Sequence, residues 1–386
     1  MADGGENVGI PSGDEEEVIR YYFKCGYEYS AIVQFLEKFH NIKISIRTLK
    51  NRLQQYELRR RMPTYDLNTV RDKILRELSG PGSSGGYRNM WHTLRMENIQ
   101  VPRHVVESLM RELDPAGCEE RKSRRLRRRR YFSTGPNHTW HVDGYDKLKP
   151  YGFPIHGCID GWSRKILWLK VSNSNNHPDI IANFFLDTVT ELGGGPLKVR
   201  TDRGTENGVM AAMQCTIRNC VDAHKYGTSP ANQRIEGWWS FLRRNRSGWW
   251  MDFFKNLIEQ EIFSPGNELQ QECLWACFAQ LIQNDLNLVK NNWNTHSIRK
   301  SRYDTISGKP DELFFLPERH GGTENLLVHV SNDQVESLRE NLTFFEEKSE
   351  QEEYFEYLGA TLELDVPSTC EEALQLYRNL MRFAEQ

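Results

Sequence analysis

Three acidic residues far apart in the chain, Asp143, Asp202 and Glu236, stand where local pattern would carry their side chains to one place. Asp143 lies in Trp140-His141-Val142-Asp143-Gly144-Tyr145, whose pattern predicts a half-buried strand. Asp202 follows the short run Leu197 to Thr201 and precedes Arg203-Gly204, at the carboxyl edge of a second strand. Glu236 comes after Ser229 and Pro230, an N-cap and first-position pair, so it should fall about two turns into a helix. On that helix Asn232, Glu236, Ser240 and Arg243 share a polar face; Ile235, Trp239 and Leu242 share an apolar face fit to pack on a sheet. Carboxylates gathered from separate elements are what hard divalent cations such as Mg²⁺ or Mn²⁺ take as ligands, with room left for substrate phosphates. Two such ions roughly 3.5–4 Å apart clamp the attacking and leaving oxygens of an in-line displacement. The expected cofactor is therefore two ions of Mg²⁺, or of Mn²⁺. Without metal the three charges would repel one another. Taken singly, each residue reads more often as a solvated turn or helix position. The joint order, with 33 residues between Asp202 and Glu236, is what points to a shared site.

The elements needed to position these groups are legible around them. After the strand bearing Asp143, Phe153 to Ser172 predicts two more strands joined by a turn at Asp160-Gly161. Asp179 to Leu192 is an amphipathic helix with Ile180, Ile181, Phe184, Phe185, Val189 and Leu192 on its apolar face, ended by Gly193-Gly194-Gly195. A strand then runs into Asp202. The helix opened by Pro230 should reach about Asn245, with further helices over Phe253 to Ile262 and Leu269 to Trp293. Strand, hairpin, helix, strand and helix make an α/β layout with mixed pairing. Asp146, Asp160 and Glu206 read as turn or strand-edge residues, Glu206 also as a substitute metal ligand. Asn207 and Gln233 fit either substrate contact or plain internal hydrogen bonding. Arg243, Arg244 and Arg246 extend the Glu236 helix with positive charge that suits DNA running along it. Trp238, Trp239, Trp249 and Trp250 fit core packing better than stacking on bases.

Charge along the 386 residues is segregated, although the formal net is only -3. Arg121 to Arg130 reads RKSRRLRRRR, eight basic residues in ten. Arg124, Arg125, Arg127, Arg128, Arg129 and Arg130 are its candidates for sequence-blind phosphate contact, against the plainer reading of a solvated linker or a nuclear-import signal. From Gly321 to Gln386 there are 15 acidic and 4 basic residues, a net of 15 − 4 = 11 negative charges. That tail has helical runs over Val335 to Phe345 and Cys370 to Phe383 and is expected to be a solvated appendage. Ahead of the basic run, Ser30 should cap a helix with Ile32, Phe35, Leu36 and Phe39 on one stripe. A second helix over Ile46 to Tyr56 turns Ile46, Leu49 and Leu53 one way. It leaves Arg47, Lys50, Asn51, Arg52 and Gln55 outward, the pattern of a helix-turn-helix whose second helix meets DNA or of a small bundle with a charged face. A further helical unit spans Val70 to Leu113, broken by Gly80-Pro81-Gly82-Ser83-Ser84-Gly85-Gly86. The organisation read from these shifts is a disordered 1–13, a helix-turn-helix-like 14–62, a second helical domain 63–118, a basic linker 119–131, a catalytic core 132–320 and an acidic helical tail 321–386. No run approaches the roughly 20 apolar residues of a membrane span. The acidic first residues do not look like a secretory signal. Eight scattered cysteines, with Cys273 and Cys277 on one helical face as core thiols, fit a reduced, intracellular protein.

Several blocks together resemble a known family. Trp140-His141-Val142-Asp143, Ile159-Asp160-Gly161-Trp162-Ser163-Arg164, Thr201-Asp202-Arg203-Gly204-Thr205-Glu206-Asn207, and Asn232-Gln233-Arg234-Ile235-Glu236 with Trp238 are similar to the DDE signature of retroviral integrases and related transposases. A final block, Trp293-Asn294-Thr295-His296 through Gly308-Lys309-Pro310-Asp311-Glu312-Leu313, is similar to the end of such domains. The likeness spans about Tyr131 to His320 and is greatest to integrase-core proteins encoded within animal genomes and derived from mobile elements. A looser likeness, from Gly86 to Leu113, is to the region ahead of the catalytic domain in some bacterial insertion-sequence transposases. The resemblance implies an RNase H-like core, with Asp143, Asp202 and Glu236 as catalytic metal ligands. It also implies element ends and target DNA as partners, work in the nucleus and a homo-oligomer. Three departures stand out: no His-His-Cys-Cys zinc domain is evident, the step from Pro230 to Glu236 is one residue shorter than in the retroviral enzymes, and an acidic tail replaces the basic carboxyl-terminal domain. The expected function is metal-dependent DNA cleavage and strand transfer. Two alternatives stay open: a domesticated, catalytically silent DNA-binding protein, and an RNase H-like hydrolase without joining activity.

Overall fold

In the computed structural model, which describes residues 10–60, 65–122, 133–227, 232–300, 306–321, 324–343, 350–361 and 367–384, the strand bearing Asp143 is the middle strand of a five-stranded sheet. This strand, β1 (Thr139–Tyr145), pairs antiparallel with β2 (Ile155–Asp160), which pairs antiparallel with β3 (Ile166–Val171). On its other side β1 pairs parallel with β5 (Lys198–Thr201), which pairs parallel with β6 (His224–Tyr226). The order β3-β2-β1-β5-β6 is a mixed α/β sheet, in agreement with the RNase H-like expectation.

The β2–β3 turn is organised by Asp160, which is fully buried. Its Oδ2 accepts from the backbone N–H groups of Trp162 (3.1 Å) and Ser163 (2.8 Å) and from the Ser163 hydroxyl (2.7 Å), while Oδ1 accepts from the Asn137 N–H at 2.8 Å. The sequence reading of Asp160 as a turn residue matches this placement. After the hairpin, α8 (Pro178–Leu192) has Pro178 in its first turn and ends at Gly193 with φ +69°, a left-handed cap that glycine adopts without strain. Ile181, Phe185 and Val189 of α8 pack with Trp140, Val142 and Trp168 on one face of the sheet. The other face is covered by α10 (Gln233–Leu242), α11 (Gly248–Glu259) and α12 (Glu268–Thr295), whose Ile235, Trp239, Leu242, Phe254 and Phe278 pack with Ile155, Ile159 and Leu169. Each such Ile, Leu, Val or Phe side chain withdrawn from water contributes about 1.5–3 kcal/mol.

Several expectations need correction. The helix carrying Glu236 begins at Gln233, so Glu236 lies in its first turn rather than two turns in; Ser229 and Pro230 lie outside the described residues. It does not run on as α-helix to Asn245, because Arg243–Ser247 forms a π-helical turn leading into α11. Between Asp202 and that helix the structure adds α9 (Gly208–Arg218) and strand β6, neither of them anticipated. A three-residue strand is too short to show alternation, and α9 opens on a glycine with no side-chain cap.

The amino-terminal half is helical. Helices α1 (Glu15–Lys24), α2 (Tyr29–His40) and α3 (Ile46–Gln55) bury Ile19, Phe23, Ile32, Phe35, Leu36, Leu49 and Leu53 together. Ser30 falls inside α2, whose cap position is Glu28, and Ile46 is exposed rather than facing inward; Ser45 caps α3 by accepting from the Thr48 N–H at 3.1 Å. A second cluster joins α4 (Leu67–Ser79), α5 (Tyr87–Met96) and α6 (Arg103–Leu113), with α7 (Pro115–Lys122) following.

Beyond the sheet, α13 (Pro310–Phe315) meets the first cluster through Tyr27, whose hydroxyl donates to Asp311 Oδ2 at 3.3 Å. The acidic segment is not a loose appendage. Its β7 (Val328–His329) pairs with β4 (Gly194–Gly195). Helix α14 (Asn332–Arg339) inserts Val335 beside α8, and α15 (Glu350–Thr361) and α16 (Cys370–Ala384) add Phe355, Ala373, Tyr377, Leu380 and Met381 to the core around α12. The spacing 373, 377, 380, 381 is one helical stripe, which the net charge of the segment had hidden. No described helix is long and apolar enough to cross a membrane.

Candidate active site

Asp143 and Asp202 reach the same rim of the sheet because β1 and β5 run parallel. The pairing sets Thr139 beside Lys198 and His141 beside Arg200. Two steps further along that register lie Asp143 and Asp202. Both strands lead out of the same edge there, the edge at which an open α/β sheet presents its ligand-binding residues.

Glu236 is brought to this rim by a staple between α10 and β1. Asn232, just before α10 and almost wholly buried, accepts from His141 Nδ1 at 2.7 Å and donates through Nδ2 to the Val142 carbonyl at 2.8 Å. Burial pushes the His141 imidazole down to about 3, so it is held neutral. Glu236 follows one turn later, its N–H donating to the Asn232 carbonyl at 3.3 Å. A further turn on, Trp239 Nε1 donates to Asp143 Oδ2 at 2.9 Å. The Trp239 ring lies over β2 at Gly157, the residue opposite Asp143; a Cβ there would come within 2.7 Å of the indole Cη2. Tyr145 packs against the same indole, with ring centroids 5.0 Å apart, and its hydroxyl meets Ser247 Oγ at 2.7 Å.

Asp202 is held from its own loop. Its Oδ1 accepts from the Gly204 N–H and from Asn207 Nδ2, each at 3.1 Å, and the same Asn207 amide reaches Glu206 Oε1 at 2.9 Å. Asn207 is buried, so among the sequence alternatives it is a group that orients the two acids. Asp146 accepts from Asn175 Nδ2 at 2.6 Å, and Lys149 reaches Asn176 Oδ1 at 2.9 Å.

The acids act on one another. The Asp143 carboxyl is pushed up to about 7, mainly by burial; the negative charges of Glu236 and Asp202 raise it further, and the N–H groups of Trp239 and Gly144 oppose the rise. Glu206 is raised as well, by burial and then by the charges of Asp202 and Asp146. Among the described residues, no group of three or more His, Cys, Asp or Glu side chains is placed so that it could hold a metal ion. The three expected ligands are thus coupled by charge at one rim without a formed ligand shell.

The expected DNA contacts divide by location. Gln233 opens α10, half-buried, and Arg243 is exposed at the end of that helix; Arg244 donates from Nε to the Ser240 carbonyl at 2.9 Å. Arg246 does not face DNA. It is buried, paired with Asp285 at 3.0 Å and Glu77 at 3.4 Å, because the π-helical turn rotates it inward. Arg47 and Lys50 are exposed on α3, a separate packing unit, and Arg52 there pairs with Glu15 at 2.9 Å. Arg124, Arg125, Arg127, Arg128, Arg129 and Arg130 lie outside the described residues. Trp238, Trp239 and Trp250 are buried and Trp249 packs against them, which fits the core reading. Sequence reasoning missed what Trp239 and Asn232 do. A buried Asn beside an acid-bearing helix was the available signal for the second; no sequence signal marked where the Trp239 N–H points.

No curated protein matches the chain. Residues 131–316 match the family model described as "Integrase core domain", a span that takes in the whole sheet, the rim and all three acids. The strand order, the acids at its edge and this match agree: residues 131–316 of the chain form an integrase core domain.

Proposed function

We propose that this protein is a divalent-metal-dependent polynucleotidyl transferase, which cleaves a DNA phosphodiester and joins the freed 3′-hydroxyl to a target strand with no covalent protein intermediate. Asp143, Asp202 and Glu236 would hold two Mg²⁺ or Mn²⁺ ions. The donor set fits hard cations: three oxygen acids from three elements, with no thiol or imidazole among them. Once bound there, the ions supply charge neutralisation at the scissile phosphate and activation of the attacking oxygen. The observation that carries the reading is the rim itself: the parallel register of β1 and β5 brings Asp143 and Asp202 to one edge, with Glu236 close enough for its charge to add to the rise that burial imposes on the Asp143 carboxyl. A rim that concentrates negative charge in a partly buried place is unfavourable unless a cation joins it.

The chain's own contribution is positioning. Asn232 and Trp239 hold α10 against β1, which fixes Glu236 relative to Asp143. Asn207 and the Gly204 N–H hold Asp202 by one oxygen. Gln233, Arg243 and Arg244 would orient the DNA backbone along α10, and Arg47, Lys50, Arg52 and the Arg121 to Arg130 run would supply phosphate contact elsewhere. Work on chromosomal DNA, a nuclear location and more than one protomer per pair of joined ends belong to this reading.

The test is a labelled DNA end incubated with the full chain and Mg²⁺ or Mn²⁺. Nicking or joining is expected for the native chain and its loss, by at least about 10³-fold, for Asp202→Asn. Activity unchanged in that variant would end the assignment. DNA binding without any cleavage would replace it with a silent binding protein, and cleavage confined to an RNA–DNA hybrid with an RNase H-like hydrolase.

A further inference from the structure

We infer that Trp239 is a positioning residue for the metal centre: its indole N–H holds one oxygen of Asp143 and turns the other toward the cation, and Gly157 is glycine so that the indole can reach. The inference rests on the metal-binding reading proposed above and deepens it.

Three observations meet at this point. Trp239 Nε1 donates to Asp143 Oδ2 at 2.9 Å, within ordinary range and across 96 residues of sequence. A carboxylate with one oxygen so engaged loses rotational freedom about its Cβ–Cγ bond and presents its second oxygen in one direction. Partners of this kind set ligand orientation in metal sites generally, and their loss typically costs 10- to 100-fold in metal affinity. Second, the indole has no slack. It is buried, tilted against the Tyr145 ring at 5.0 Å and edge-on to Trp238 at 5.3 Å, while Ile235 and Leu242 seat its helix on the sheet. Third, its path crosses β2 where a side chain would stand. Gly157 pairs with Asp143, and any Cβ there would lie 2.7 Å from Cη2 of the indole and 3.4 Å from Leu169 Cδ1. Glycine in the interior of a strand otherwise weakens it, so a close approach by another group is the physical reason to find it there.

The same side chain also ties the two acids together. Trp239 is three residues after Glu236 on α10, so the bond to Asp143 fixes the helix turn carrying Glu236 relative to the strand carrying Asp143. A phenylalanine would fill most of the space and keep the packing but could hold neither carboxyl orientation nor this link.

Mn²⁺ affinity read directly by electron paramagnetic resonance of the free ion tests this on the full chain, with melting curves in chelator to show that each variant folds. Trp239→Phe should bind Mn²⁺ about tenfold more weakly than the native chain. Its cleavage rate should recover as Mn²⁺ is raised by the same factor, which a merely structural defect would not allow. Gly157→Ala keeps every polar group and only crowds the indole; it should weaken binding in the same direction and covers the case in which Trp239→Phe fails to fold. Native binding with undiminished affinity in the folded variants would overturn the role of Trp239 and leave the metal reading standing. Absence of Mn²⁺ binding by the native chain would overturn both.

Discussion

A carboxyl group withdrawn from water, with two like charges for neighbours and two N–H groups to offset them, is not at rest when ionised. Asp143 is in that position, and the consequence for stability has a definite sign. Its folded-state pKa, about 7, stands above the ordinary 3.8, so folding disfavours its charged form. Below about pH 4 the group is protonated in folded and unfolded chains alike and costs nothing. As pH rises toward and through 7 the folded state must pay to ionise it, and stability is lost. Asp143→Asn removes that cost while keeping an acceptor for the Trp239 N–H. In chelator at pH 8 the variant should therefore be more stable than the native chain, by an amount on the order of 4 kcal/mol, with the gap closing toward pH 4. Urea melts at the two pH values measure it. A variant less stable at pH 8 would mean that the carboxylate is not strained. The strand contexts of Asp143 and Asp202 were legible from local pattern, and their expected link to Glu236 came from the joint order of the three acids. The partner of Asp143 was not, because an apolar helix stripe reveals that Trp239 is buried but not the direction of its N–H.

At the scale of elements, the site depends on one helix being pinned to one strand. Asn232 makes that junction with two hydrogen bonds in a buried setting. Asn232→Ala leaves the His141 ring N–H and the Val142 carbonyl without this partner, and each such buried group costs about 1–3 kcal/mol. A loss of about 2–4 kcal/mol in denaturant melts is expected, together with weakened metal binding because Glu236 is no longer set against Asp143. A variant of native stability would show that the junction is held by packing alone. The strands and helices with long periodic patterns were readable in advance, β1, the hairpin and α8 among them. The start of α10 was misplaced because Ser229-Pro230 is a strong helix-opening signal. In the structure the first helical residue is Gln233, and the junction with β1 falls on Asn232. Helix α9 was missed because no side-chain cap marks its start, although Asn219 ends it in the left-handed conformation, and strand β6 because three residues are too short a run to stand out.

Across the whole molecule, the parts that sequence charge had separated are packed together. Glu77 of α4 meets Arg246 of the π-helical turn, which also holds Asp285 of α12; Trp250 Nε1 donates to the other Asp285 oxygen at 3.1 Å. His92 and Thr93 of α5 bond Thr295 and Asn292 of α12 at 2.8 and 3.0 Å. The helical units ahead of the sheet are thus tied to the elements that support the acids. Net charge conceals such contacts, since a buried Arg and a DNA-facing Arg look alike in a sequence. Arg246→Ala should destabilise the chain by about 3–5 kcal/mol by leaving Asp285 buried without its cation, and Arg246→Met with Asp285→Leu should recover most of the loss. Its effect on the salt dependence of DNA binding should be small, in contrast to Arg243. A stable Arg246→Ala chain with a shallower salt dependence would restore Arg246 to the DNA surface.

The most direct measurement is the anomalous diffraction of manganese in crystals of the full chain soaked with Mn²⁺. Peaks within ligand distance of Asp143, Asp202 and Glu236 are predicted, with Asp143 bound through the oxygen that Trp239 does not hold. Manganese absent from that rim at saturating concentration, or bound there without these three side chains, would contradict the account.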